Sequence, residues 1–107
     1  MPPYLCVWAT ARWCVPCKRL QPGWFSLAEP DGDAHHQFAK SVAFAVADLT
    51  DEDVDGATLS EAMRIVTLPT FVLYQSATAQ EVGRAEGAAH KRPARRLFDM
   101  LKQVLAE

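Results

Sequence analysis

The stretch Trp13-Cys14-Val15-Pro16-Cys17-Lys18 sits where an apolar run ends and a helical pattern begins. Upstream, Tyr4-Leu5-Cys6-Val7-Trp8-Ala9 is short and almost wholly apolar. A strand covered on both faces, and so central in a parallel sheet, reads this way. Downstream, Pro16 suits the first turn of a helix, where a missing N–H costs nothing. Leu20, Trp24, Phe25, Leu27 and Ala28 then recur at close to a helical period. Two thiols thus stand at a strand-to-helix junction, three residues apart.

Working outward, Pro22-Gly23 predicts a bend in this first helix, and Pro30-Asp31-Gly32-Asp33 ends it. Residues 34–40 suit one or two further helical turns. A second apolar run, Val42-Ala43-Phe44-Ala45-Val46-Ala47, makes a strand within 41–49; an acidic loop follows over 48–56 and a short helix over 57–65. Leu68-Pro69-Thr70-Phe71-Val72-Leu73-Tyr74 is a third strand, with proline tolerated at its start. A polar turn over 75–79 joins it to a fourth strand over 80–85, so these two should form an antiparallel hairpin. Gly87 breaks that strand. Pro93 opens a last helix whose buried stripe is Leu97, Phe98, Leu101, Val104 and Leu105. The order β-α-β-α-β-β-α, with the first two strands parallel through a right-handed crossover, predicts a single α/β domain over 1–107. Its mixed four-stranded sheet should carry helices on both faces.

The composition narrows the classes of function. The chain has 107 residues, half of them apolar, and a formal net charge of -2. That charge argues against an electrostatic nucleic-acid binder. No apolar run approaches the roughly 18 to 20 residues of a membrane span. The start, Met1-Pro2-Pro3-Tyr4, lacks the basic and apolar regions of a secretory signal. Three cysteines, Cys6, Cys14 and Cys17, do not make a disulfide framework. They suit a reducing compartment, and the expected location is the cytoplasm.

The spacing of Cys14 and Cys17 has a physical logic. The first turn of a helix offers unpaired N–H groups and partial positive charge, and both favour a thiolate. Lys18 adds positive charge nearby. Cys17 lies on the same helical side, where it can attack a mixed disulfide formed at Cys14. The bland alternatives are a structural disulfide or half of a zinc site. One Cys-x-x-Cys supplies only two of four zinc ligands, and Cys6, His35, His36 and His90 show no ligand spacing.

Several motifs, in order, resemble the thioredoxin family. Trp13-Cys14-Val15-Pro16-Cys17-Lys18 resembles its Trp-Cys-Gly-Pro-Cys-Lys signature, and Pro22 its helix-kinking proline. Leu68-Pro69-Thr70 resembles the Ile-Pro-Thr whose proline follows a cis bond and faces the active-site disulfide. Gly87 resembles the glycine that lets a substrate chain approach, and Trp8 the tryptophan that supports the active-site loop. The resemblance implies a thioredoxin fold and reduction of protein disulfides without a bound cofactor. It implies Cys14 as attacking thiol and Cys17 as resolving thiol. Trp13, Val15, Pro16, Thr67, Leu68, Pro69 and Gly87 would form the substrate rim. Electrons would come from a donor such as a thioredoxin reductase or glutathione. A disulfide oxidase or isomerase, or an interaction module of the same fold, remains the alternative. The run from Cys17 to Trp24 also resembles protein disulfide isomerase domains, which carry histidine where this chain has Pro16.

The departures from the family pattern are specific. Val15 replaces glycine. Two extra residues lie between Trp8 and Trp13. Cys6 and Phe44 stand where the family keeps a proton-shuttling aspartate and its lysine. The usual first strand and helix are missing, which leaves the second strand a free edge open to self-association. Cys6 itself reads as an inert buried hydrophobe without a disulfide. Asp51-x-Asp53-x-Asp55-Gly56 imitates a calcium loop but has Ala62 at the twelfth position, so it reads as a solvated turn favouring the next helix. Lys91, Arg92, Arg95 and Arg96 form a basic patch, a solvated face that hints at an acidic partner.

Overall fold

A computed structural model describes residues 2–87 and 92–106. Seven regular elements follow the expected order: β1 (Tyr4–Thr10), α1 (Val15–Ala28), β2 (Val42–Asp48), α2 (Gly56–Met63), β3 (Thr70–Gln75), β4 (Glu81–Glu86) and α3 (Pro93–Leu105). The sheet order is β2-β1-β3-β4, with β1 parallel to β2 and antiparallel to β3, and β4 antiparallel to β3. The strands β1 and β3 are central because their apolar residues alternate between two cores. Cys6, Trp8, Phe71 and Leu73 join α1 and α3 on one face; Ala9 and Val72 join Met63 of α2 on the other.

The first core is built around Trp24 of α1. Its ring lies 5.3 Å from Trp8, edge-on to Phe44 at 5.5 Å and stacked on Phe71 at 6.3 Å. Such aromatic packing adds geometric preference to burial. The first helix runs as one element to Ala28 with Pro22 inside it, where the proline offers no N–H to the Lys18 carbonyl. Gly23 has a different reason to be glycine: a Cβ there would overlap the Cβ of Ala94 in α3. The two helices cross at that point.

Some expectations need correction. Residues 34–40 form only a single 3-10 turn, His35–Gln37. The buried stripe of α3 is Pro93, Leu97, Met100 and Leu101, with Phe98, Val104 and Leu105 only partly covered. Nor is β1 buried on both faces throughout. Leu5 and Val7 are half-buried, because the eight residues of α2 are too short to cover that end of the sheet. At the sheet edge, β2 has no neighbour beyond β1, and its Val46 is 51% exposed.

The end of α2 leads directly towards Pro69, and β4 holds it. Arg64 closes the helix in the left-handed region (φ 56°). From β4, Arg84 donates to the carbonyls of Met63 and Arg64, and Glu81 grips Arg84 through both carboxylate oxygens while also meeting Arg64 at 3.0 Å. A two-pronged guanidinium–carboxylate pair of this kind fixes geometry as well as charge. The fork holds the Glu81 carboxyl below its ordinary value near 4.5.

Two outcomes follow from these contacts. Because the folded carboxyl is depressed, its stabilisation is complete above the unfolded value and disappears as pH falls through the lower folded one. Glu81→Gln should therefore cost about 1 kcal/mol at pH 7 and progressively less as pH falls below the ordinary carboxyl value near 4.5, read by urea unfolding across that range. Gly23→Ala should be destabilising by about 1–3 kcal/mol through overpacking against Ala94, which outweighs the roughly 0.5–1 kcal/mol a helix gains from losing glycine.

Candidate active site

Cys14 occupies the N-cap of α1, with extended backbone (φ -81°, ψ 105°). Its Sγ accepts the backbone N–H of Cys17 at 3.2 Å, the role a serine or aspartate oxygen plays at other helix starts. Pro16 falls in the same turn, where it removes one unpaired donor at no cost. Cys14 and Cys17 are joined by a disulfide, with Cα atoms 5.3 Å apart. Both are nearly buried, at 3% and 2% exposure, whereas the flanking Trp13 (71%) and Val15 (53%) stand out into solvent. Pro16 is half-buried.

The second segment, 67–70, reaches the same end of the sheet because Thr70 pairs with Ala9, one residue before the end of β1. The Leu68–Pro69 peptide is cis. Thr70 is fully buried, and its hydroxyl donates to the Thr67 carbonyl at 2.6 Å, closing the turn around Pro69. Leu68 packs against the core that contains both cysteines. Gly87 donates its N–H to the Pro69 carbonyl at 2.9 Å. It is buried, and a Cβ there would stand 3.0 Å from Pro93 and 3.2 Å from Pro69. Its lack of a side chain therefore gives room to the two prolines.

Beside Cys17 lies an open pocket of about 540 Å³ lined by Cys17, Trp8, Arg12, Lys18, Val46 and Asp48 among others. The Trp8 indole N–H is buried beside it with no acceptor among the described residues. Asp48 is held ionised by hydrogen bonds from the Thr50 hydroxyl and amide, which lower its pKa. A carboxylate so well satisfied is a poor base at neutral pH.

A family model for Thioredoxin matches residues 4–103. The chain belongs to the thioredoxin family. Among curated protein sequences none matches it. Among solved structures, thioredoxin from Trypanosoma brucei brucei is 24% identical, with a TM-score of 0.70, over 97% of this chain and 76% of that one. Oxidised mitochondrial thioredoxin 3 from Saccharomyces cerevisiae is 24% identical, with a TM-score of 0.67, over 95% and 80%. The long form of spinach chloroplast thioredoxin f is 25% identical, with a TM-score of 0.66, over 97% and 69%. A thioredoxin-family chain with a Cys14–Cys17 pair at a helix N-terminus is a thiol–disulfide oxidoreductase.

Cys6 and Phe44 are the positions that the resemblance sets against the family's proton-handling pair. Cys6 and Phe44 are direct partners across β1 and β2. Burial pushes the Cys6 thiol up to about 12, and Phe44 packs on Trp24. Neither can move a proton at neutral pH. In the acidic loop, Asp55 caps α2 by accepting from the amide and hydroxyl of Thr58. No group of three or more metal-ligating side chains occurs among the described residues, and no helix among them is long and apolar enough to cross a membrane. In the basic patch, Arg95 pairs with Asp99; His90 and Lys91 lie outside the described residues. Sequence reasoning missed Arg12, Thr50 and Arg84, whose roles depend on contacts across 20 or more positions.

The burial of Cys6 makes a direct prediction. After reduction, iodoacetamide at pH 8 should leave Cys6 unmodified in the native protein and modify it once the chain is unfolded in urea. Peptide mass spectrometry distinguishes the outcomes.

Proposed function

We propose that this protein reduces disulfide bonds of other proteins by dithiol exchange. The observation that carries the reading is the N-cap geometry: a sulfur at Cys14 receives the Cys17 amide at the positive end of α1. In the reduced protein the same amide and helix end favour a thiolate at Cys14. That thiolate attacks a substrate disulfide; one S–S bond forms as another breaks, and a substrate thiolate leaves. Cys17 then loses its proton and attacks Cys14 Sγ, which closes the internal disulfide and releases the second substrate thiolate. Two electrons have moved to the substrate, whose two thiolates take up protons from solvent. With Cys6 and Phe44 unable to take the Cys17 proton, its acceptor is solvent entering the pocket beside Cys17 or the departing substrate thiolate.

The substrate chain would lie across Trp13, Val15 and Pro16 on one side and Thr67, Leu68, Pro69 and Gly87 on the other. Exposed Trp13 offers an apolar platform beside the disulfide. Reducing equivalents return from a flavoprotein reductase or from glutathione, and the single reactive pair among three cysteines fits a reducing cytoplasm. A solved structure 21% identical to this chain comes from work on the structural basis of the thiol resolving mechanism in yeast mitochondrial 1-Cys peroxiredoxin via glutathione/thioredoxin systems. It illustrates the class of partner proposed here.

Insulin reduction driven by dithiothreitol tests the reading. Wild-type protein should accelerate precipitation of the insulin B chain, and Cys14→Ser should fall to the rate of dithiothreitol alone. Equal rates for the two would rule the mechanism out.

A further inference from the structure

The loop between β1 and α1 has to present Cys14 at the helix start, yet little of it is packed. Ala11 is buried, and its carbonyl accepts the Cys14 amide at 3.1 Å. Arg12 and Trp13 are both exposed. What ties this exposed pair to the fold is Arg12. Its backbone N–H donates to Thr50 Oγ1 at 3.0 Å, its Nη2 donates to the Thr50 carbonyl at 2.6 Å, and its Nε lies 3.4 Å from Thr50 Oγ1. Thr50 is in turn immobilised by Asp48, to which it donates both its hydroxyl (2.6 Å) and its amide (2.9 Å). Asp48 is the last residue of β2 and the direct partner of Thr10, where β1 ends; Leu49 also donates to the Thr10 carbonyl at 2.9 Å.

The donors and acceptors at Thr50 are fully matched. A hydroxyl has one proton and two lone pairs. Here the proton goes to Asp48, and the lone pairs face the backbone and side chain of Arg12. No rotation of Thr50 improves on this, so the orientation of its hydroxyl is determined. The charge on the guanidinium strengthens the bond to the Thr50 carbonyl.

We propose that Arg12 is a positioning residue for the redox couple, clasping Thr50 so that the loop holds Cys14 at the N-cap of α1 when the disulfide is open. The proposal rests on the reading of Cys14 and Cys17 as a redox pair. In the oxidised protein the S–S bond itself restrains Cys14, and the clasp adds little to its placement. In the reduced protein that restraint is gone, and the loop anchors decide how well Cys14 stays against the Cys17 amide. The clasp therefore stabilises the reduced form more than the oxidised one, and by linkage it makes the disulfide easier to reduce.

The test is the equilibrium between the full-length protein and glutathione. Protein is equilibrated over a series of reduced-to-oxidised ratios, quenched with acid, alkylated and weighed. Arg12→Met and Thr50→Val should each lower the equilibrium constant for reduction of Cys14–Cys17 about threefold or more, near 15 mV for a two-electron couple. Thr50→Val keeps both charges, so its shift reports the tether and not the field. The double variant should shift by less than the sum of the two single shifts, because each single change loosens the same clasp. Thr50→Ser, which keeps the hydroxyl, should stay within about twofold of wild type. Circular dichroism establishes that each variant is folded; should Thr50→Val or Arg12→Met fail to fold, Arg12→Lys keeps a charged donor toward the Thr50 carbonyl and should show a smaller shift in the same direction. Folded variants with the wild-type equilibrium constant, whatever their unfolding temperature, would overturn the proposal, as would fully additive shifts in the double variant. A wild-type protein whose cysteines did not respond to the glutathione ratio would overturn the redox reading itself and the clasp with it.

Discussion

A single hydrogen bond organises this molecule: the amide of Cys17 donating to the sulfur of Cys14 at the start of α1. It requires an extended residue at the N-cap, a helix that begins at Val15, and a cysteine three positions on. It also couples structure to chemistry, since the donor that satisfies the helix end is the donor that favours negative charge on sulfur. The surrounding fold can be understood as what is needed to keep that geometry. The Trp24 cluster seats α1 on the sheet. The Gly23–Ala94 contact sets α1 against α3. The Arg12–Thr50–Asp48 chain secures the loop on the other side.

The segment around Pro69, proposed as the opposite wall of the site, is built by different means. Pro69 is placed by the register of β1 and β3 and by the Thr70–Thr67 and Gly87–Pro69 hydrogen bonds. The segment before it is fixed by a guanidinium that reaches from β4 to the carbonyls ending α2. This second wall is thus anchored by polar contacts from the sheet, whereas the first is anchored mainly by packing. The short α2 leaves part of its sheet face thinly covered, and β2 keeps an open edge.

Much of this was legible in the sequence, for physical reasons. Strands with continuous apolar runs, prolines at Pro16 and Pro93 in first helical turns, and the apolar period of α1 all report local rules, and the elements formed as read. The two thiols and the Leu68-Pro69-Thr70 stretch could be read as one site only through their resemblance to the motifs of the thioredoxin family. The misses are all non-local. Nothing in residues 34–40 says that only one 3-10 turn forms. The burial of Met100 over Phe98 follows from how α3 sits on β4, where Gly83 admits Met100 and Val104 closely. Arg12, Thr50 and Arg84 look like ordinary surface residues until the fold brings their partners across from distant positions.

The central claim is that Cys14, not Cys17, is the sulfur that meets the substrate. It is tested most directly by trapping the intermediate. Reduced Cys17→Ser and Cys14→Ser proteins are each mixed with a cystine-bridged peptide, quenched with acid, and mapped by mass spectrometry. The account predicts a mixed disulfide at Cys14 in Cys17→Ser and little or none at Cys17 in Cys14→Ser. Capture at Cys17 that matches or exceeds capture at Cys14 would contradict it.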